Sequence, residues 1–374
     1  MRPTQMPDFL LRMHRALAAP GKNFFFSPTS IWSALALALY GARGQTKGQL
    51  DALMGTGALS REGLLDILTE LSVKLNTTVV VENEPKLEMR LANKAYLARS
   101  LNPAIAYLAA LSKLAGVEVV DFAAAQVVRE EINKWVAELT NEMIQNLIPE
   151  NGISPATLLV LVNAIYFKAK WEKRFDEAFT DTNGQFFVQP NQPVTAPLMY
   201  QESSFEAYQD QVVTVVFLPY YGGTTGFLGI LPAPGVELEE AEEYFFNHAS
   251  SIMAEMRSRA VHLYLPRFNL NWGMNLVFAL KGLGIEDAFN SYRADFSGIA
   301  QNRMYISDVI HKAALRVDEA GSEAAAATAV VMRSMEAISE RPLEVKFNRP
   351  FLFAIMDALS NELYFLGRLI NPAE

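Results

Sequence analysis

Cysteine is absent from all 374 residues, which removes disulfides, thiolate nucleophiles, Cys-based zinc sites and iron–sulfur clusters together. The compartment stays open, because a chain this long buries roughly three quarters of its surface and needs no staples. Histidine is scarce. His14, His248, His262 and His311 stand too far apart for a local pair of the His-Glu-x-x-His kind, and neither a metal nor a cofactor is expected. A basic cluster is lacking too: 32 Lys and Arg against 41 Asp and Glu give a net charge of −9. That is the wrong sign for a phosphate backbone, so no nucleic-acid partner is expected. The one dense charge run, Glu237 to Glu243, is acidic and reads as a solvated helix face. Apolar runs at 34–40 and 158–167 are too short to span a bilayer, and Asn163 interrupts the second. No basic stretch followed by an apolar run opens the sequence, so no signal peptide is expected within it. Asn76-Thr-Thr78 is a single glycosylation triplet, too common to decide secretion.

Catalytic signatures are equally missing. There is no Gly-x-Ser-x-Gly elbow and no Gly-x-x-x-x-Gly-Lys phosphate loop. Gly55-Thr-Gly57 and Gly282-Leu-Gly284 lack the third glycine of a dinucleotide fingerprint and read as turns or helix ends. Nothing announces an enzyme.

What is present is an α+β pattern, with helices early and strands concentrated late. Ser27-Pro28-Thr29-Ser30 caps an apolar helix from Ile31 to about Tyr40, ended by Gly41 and Gly44. Ile132, Trp135, Val136, Leu139 and Met143 recur at helical spacing and predict a second helix over 127–146. Residues 158–168 read as a buried strand, and 186–188 begin an extended stretch. Runs at 212–218 and 227–231 flank Tyr221-Gly-Gly-Thr-Thr-Gly226 as a hairpin. Alternation predicts strands over 262–268 and 305–317, with 343–347, 351–357 and 363–370 finishing the chain.

One segment is unlike the rest: from Gly321 the chain carries small residues almost as far as Met335. Alanine is the best helix former, so propensity reads a short helix. Parity reads a strand. Positions 322, 324, 326, 328, 330, 332 and 334 are Ser, Ala, Ala, Thr, Val, Met and Ser, while Glu323 and Arg333 fall on the opposite parity. Alternate side chains of a strand face opposite ways, so this segment could enter a sheet with an uncharged face inward.

Ordered motifs over nearly the whole chain, from about Asn23 to Pro372, carry a resemblance. They are Asn23-Phe-Phe-Phe-Ser-Pro-Thr-Ser-Ile31, Ile132-Asn-Lys-Trp135 with Thr140, and Leu161-Val-Asn-Ala-Ile-Tyr-Phe-Lys168 with Trp171 and Phe175. His311-Lys-Ala, Asp318-Glu-Ala-Gly-Ser-Glu-Ala-Ala, Val345-Lys-Phe-Asn-Arg-Pro-Phe351 and Phe365-Leu-Gly-Arg368 follow in order. Together they resemble the serpins, serine protease inhibitors and their relatives. Ala169 stands where the family usually has glycine, Asn141 likewise after Thr140, and the stretch 335–347 is longer than in many members.

The resemblance implies one large domain spanning 1–374: a mainly antiparallel central sheet, smaller sheets, eight or nine helices, and an exposed reactive loop over about 319–344. It implies a monomeric suicide substrate, no enzyme, whose cut loop inserts into the central sheet and traps the acylated protease. Its partner would be a serine protease, and the compartment tilts to extracellular. Counting along the hinge places the reactive bond at Met335–Glu336, suited to chymotrypsin-, elastase- or subtilisin-like pockets; Arg333–Ser334 is the alternative, suited to a trypsin-like one. The hinge would be Glu319, Gly321, Ser322, Ala324, Ala325, Ala326, Ala327 and Thr328. Trp171, Arg267 and Glu319 would form the breach where insertion starts. Ser27, Ser30, Asn163 and His311 would form the polar cluster that controls strand parting; read alone, His311 is a core histidine satisfied by neighbours. A non-inhibitory carrier or chaperone, or a cross-class inhibitor of cysteine proteases, are the other readings.

Overall fold

The computed structural model describes residues 6–81, 84–112, 114, 116–322 and 341–374. Among them the helices are Met6–Leu17 (α1), Pro28–Gly41 (α2), Gly44–Met54 (α3), Arg61–Lys74 (α4), Ile105–Ser112 (α5), Ala125–Leu139 (α6), Leu238–Glu255 (α7) and Val277–Gly282 (α8). Strands in the first half are Phe24–Phe26 (β1), Thr78–Val81 (β2), Glu84–Ala98 (β3), Val117–Val120 (β4), Leu159–Lys170 (β5), Gln185–Gln189 (β6) and Gln192–Thr195 (β7). Those that follow are Leu198–Gln209 (β8), Val213–Pro219 (β9), Thr225–Pro232 (β10), Arg257–Pro266 (β11), Phe268–Asn275 (β12) and Asp308–Val317 (β13). Gly321–Ser322 (β14), Leu343–Lys346 (β15), Phe351–Asp357 (β16) and Glu362–Leu369 (β17) complete them. No described helix is long and apolar enough to cross a membrane.

The central sheet runs β12-β13-β5-β3-β2, with β4 on the far end of β3 and β14 at one end of β5. All its pairings are antiparallel except β13 on β5 and β4 on β3. A second sheet runs β1-β17-β16-β10-β9-β8-β11-β15, and β6 and β7 form a separate ribbon. The fold is α+β, as expected.

Helix α2 ties the two large sheets together. Ser27 Oγ accepts the Ser30 amide at 3.1 Å, and Pro28 occupies the first turn where no amide is needed. The helix is largely apolar, Thr29, Ser30 and Ser33 being its polar side chains, and every residue except Tyr40 is buried, in contact with β3, β5 and β17. Strand β5 is buried at every position but Lys168, the consequence of layers covering both its faces.

Five expectations need correction. The single strand expected over 262–268 is two: β11 ends at Pro266 in the second sheet and β12 begins at Phe268 in the central one, with the Arg267 amide between them turned to the Pro197 carbonyl. Helix α6 ends at Leu139 rather than 146: the Thr140 hydroxyl bonds the Val136 carbonyl at 2.7 Å, and Asn141 then takes φ +48°. Asparagine tolerates that left-handed conformation, which explains its presence where the family has glycine. The strand expected from 305 begins only at Asp308, because Ile306 and Ser307 send their amides to Ala288 and Leu159. Strands are not confined to the later chain, since β3, at fifteen residues, is the longest strand among the described residues. Finally, the run Glu237 to Glu243 is not wholly solvated: Glu242 is buried.

Arg368 is the reason Glu242 is buried. Its Nε and Nη2 grip the two carboxylate oxygens of Glu242 in a fork, with Glu239 3.4 Å away at the rim and the Phe24 ring 5.9 Å from the guanidinium. The pair links α7 to β17 inside the core. Removing one partner strands a charge, so Arg368→Leu is expected to cost about 3–5 kcal/mol, or roughly 4–6 °C in Tm for a chain this long. Differential scanning calorimetry checks it: the double variant Arg368→Leu with Glu242→Leu should recover most of the loss, and equal losses would refute the assignment.

Candidate functional site

Strands β13 and β5 lie side by side in parallel, from Asp308 opposite Val160 to Ala314 opposite Tyr166, with no strand between them. Above that seam β13 stays paired to β12 as far as Val317. The chain then reverses in a tight turn: the Asp318 amide donates to the Gly321 carbonyl at 2.9 Å, and the Gly321 amide donates back at 3.2 Å. The Asp318 carboxylate accepts the Ala320 amide at 3.0 Å and locks the reversal. Gly321 and Ser322 thus run down antiparallel to Lys170 and Ala169, occupying the top of the seam as β14. Gly321 has φ +149°, and a Cβ there would sit 2.0 Å from the Ala169 carbonyl oxygen, so only glycine fits.

The three residues expected at the top of the sheet do converge. Trp171 Nε1 donates to the Asp318 carbonyl at 2.8 Å, and its amide donates to the Ala320 carbonyl at 3.0 Å. Arg267 Nε lies 2.7 Å from both oxygens of Glu319, and the Thr180 hydroxyl donates to the same carboxylate. Burial alone would raise the Glu319 pKa, but the hydrogen bonds from Arg267 and Thr180 outweigh it and hold the carboxyl below its ordinary range. Glu319 is therefore a buried anion fixed at the base of the turn.

Lower in the same seam, the four residues of the expected polar cluster also meet. The Ser27 amide donates to His311 Nε2 at 3.4 Å, which leaves the ring proton on Nδ1, facing Asn163 Oδ1. Asn163 Nδ2 in turn donates to Ser30 Oγ and to Asn93 Oδ1, and Asn93 Nδ2 reaches the Ser30 carbonyl at 3.0 Å. His311 and Asn163 are register partners across the β13–β5 seam. Their side-chain bond spans the line along which the sheet would part.

Three residues of this site were not foreseen. Thr180, whose hydroxyl donates to Glu319, lies in a stretch that carried no motif. Asn93 lies on β3, a strand whose sequence was not read as one, so no face could be assigned to it. Tyr220 precedes a Gly-Gly turn and offered only turn chemistry. In the structure it is fully buried, stacks on Trp171 at 4.6 Å and 9°, and bonds Ser322 Oγ at 2.7 Å. Burial pushes its phenol pKa up, so the hydroxyl keeps its proton.

Expected as the exposed start of the loop, Glu319, Gly321 and Ser322 are instead buried, because the sheet top encloses them. At the other end Leu343 and Glu344 belong to β15, paired in parallel with β11. Ala324, Ala325, Ala326, Ala327, Thr328, Arg333, Ser334, Met335 and Glu336 lie outside the described residues. Among the described residues no group of three His, Asp or Glu converges as a metal site.

The His311 ring, buried with both nitrogens engaged, has its pKa pushed down to about 3 by loss of solvent. A base whose folded pKa is depressed destabilises the fold as pH falls from about 6.5, the unfolded value, toward 3. At pH 5 the expected loss is about 2 kcal/mol. Urea midpoints measured at pH 7.5 and pH 5 should converge in His311→Asn relative to the parent chain; an unchanged difference would refute the assignment.

Comparison with known proteins follows the same line. The family model described as serpin (serine protease inhibitor) matches residues 4–372. Human serpin B3 is 35% identical over 379 aligned residues, covering 94% of each chain. Among solved structures, the thermophilic serpin tengpin in its native state superposes with a TM-score of 0.87 at 26% identity, covering 99% of this chain and 94% of its own. Human thyroxine-binding globulin complexed with thyroxine gives a TM-score of 0.87 at 27% identity, covering 100% of this chain and 98% of its own. Family model, sequence identity over nearly the whole chain and sheet arrangement agree: the chain belongs to the serpins, whose members are typically protease inhibitors and not enzymes.

Proposed function

We propose that the chain is an inhibitory serpin, a suicide substrate for serine endopeptidases with its reactive loop between β14 and β15. One observation carries this reading: β5 and β13 are directly paired, and the first loop residues already lie antiparallel at the top of their seam. A strand continuing from Ser322 would therefore run down between them. Ser322 is the first of the uncharged even-numbered positions, and it faces inward with no solvent exposure.

The target's serine attacks the carbonyl of Met335, or of Arg333 in the alternative, forms an acyl bond to it and breaks the peptide bond, freeing the next residue's amine while the downstream segment stays anchored through β15, β16 and β17. The freed arm then enters the seam. A strand of ~15 residues at ~3.3 Å each carries the tethered enzyme on the order of 50 Å, and deacylation stalls when its site is distorted. In this reading Arg267, Glu319 and Trp171 anchor the entry point, while His311, Asn163, Ser27 and Ser30 set the resistance to parting.

Likeness to a globulin solved with thyroxine supports a second reading, a carrier with a loop that stays out. The hinge composition weighs against it: 322, 324 and 326 are Ser, Ala and Ala, without proline or charge.

Incubation with chymotrypsin, elastase, subtilisin and trypsin should give an SDS-resistant complex with at least one of them. By mass spectrometry the downstream peptide is expected to begin at Glu336; a start at Ser334 would select Arg333 instead. Cleavage without any stable complex would favour the carrier. Ser322→Arg should turn inhibitor into substrate, because a buried unpaired charge costs several kcal/mol, and retained inhibition by that variant would sink the insertion account.

A further inference from the structure

The structure assigns Tyr220 as a latch: its hydroxyl holds Gly321–Ser322 docked in the central sheet of the uncut chain, and it is a positioning residue for the loop. Docking itself is visible as the β14 pairing on Ala169 and Lys170. Tyr220 comes from the end of the β9–β10 hairpin, outside the central sheet, so the bond joins the loop's root to a second layer of the fold.

Both hydroxyls are fully buried, and Ser322 Oγ at 2.7 Å is the hydrogen-bond partner of the Tyr220 hydroxyl. If Ser322 withdrew, the phenol would keep its proton and remain in the core without that bond. Stranding a buried hydroxyl disfavours withdrawal on the order of ten- to a hundred-fold. The ring cannot easily follow its partner, since Trp171 is stacked on one face and Phe167 meets it edge-on at 5.1 Å. Trp171 is in turn tied to the Asp318 and Ala320 carbonyls that flank the turn. Aromatic stack, turn and latch form one rigid block.

Two docked residues remove roughly 7 Å of reach from the loop. They also leave the seam already wedged at its upper end. The latch therefore restrains the loop against proteolysis before attack and favours entry after it; this functional half rests on the inhibitory reading, while the docking half does not.

The test uses the full uncut chain with Tyr220→Phe, which keeps the stacked ring, and Ser322→Ala, which keeps a small inward side chain. Amide hydrogen exchange across 319–323 should accelerate about tenfold or more in each variant, with the double variant no faster than the singles. Trp171, stacked on the latch, should show altered emission in Ser322→Ala. Loop cleavage by a dilute non-target protease should rise several-fold. With a protease that the parent chain traps, the stoichiometry of inhibition should increase about two- to fivefold. Parent-like exchange in both variants would overturn the latch. Accelerated exchange in a chain whose parent traps no protease would leave the latch standing and remove the inhibitory reading instead.

Discussion

The seam between β5 and β13 is the constraint on which the rest depends. It is a parallel ladder over seven register pairs, and parallel pairing is slightly weaker per residue than antiparallel. Its strength is concentrated in one place, where Asn163 and His311 bond across it and extend the link to Ser27, Ser30 and Asn93. Ser27, Ser30, Asn163 and His311 lie in the core and Asn93 is half-buried, and in the core an unmade hydrogen bond costs more than a made one contributes. Opening the seam would cost one ladder, and a strand entering the gap would form two.

The upper end of the seam is organised differently. There the ladder between β5 and β13 stops at Tyr166 and Ala314, and the wedge of Gly321 and Ser322 takes over beside Ala169 and Lys170. Charge and aromatic packing fix the turn above it: Arg267 and Thr180 hold Glu319 ionised, and Trp171 spans the turn carbonyls. Rigid scaffolding at the root of a long connection is what lets a loop be presented in a defined direction. If each new ladder bond nets about 1 kcal/mol, a full-length insertion would gain on the order of ten, enough to oppose the cost of parting the lower network. Chemistry would belong to the protease; this chain would contribute bait and mechanical work.

Much of this was legible in the sequence. The cap Ser27-Pro28, the largely apolar helix after it and the β5 run, interrupted only by Asn163, follow from propensity and periodicity, and their ends fall within three residues of those in the structure. Strands β15, β16 and β17 were read for the same reason. Strand β3 did carry a local signal, Leu87, Met89 and Leu91 alternating with Lys86, Glu88 and Arg90; the rhythm is lost at Ala92-Asn93-Lys94, and only the pairing with β5 carries the strand on to Ala98. Glu242 was misread because its partner, Arg368, lies 126 residues away. Helix α6 was drawn too long because Met143 keeps the apolar rhythm after the backbone has already turned left-handed at Asn141 and Glu142.

Local order, then, was written in the chain: where helices start, which stretches are buried, and which segment is small enough and uncharged enough to become a strand. Those properties depend on side-chain size, polarity and spacing within a few residues of one another. Only tertiary structure decided that Asn93 joins Asn163 and His311, that Tyr220 meets Ser322, and that the loop's root is buried rather than exposed. These contacts join residues 70 to 148 positions apart, and no local pattern encodes which distant hydroxyl or amide a buried group will find. Packing settles it, because a polar group enclosed in the core must take the partner that the surrounding layers bring within reach.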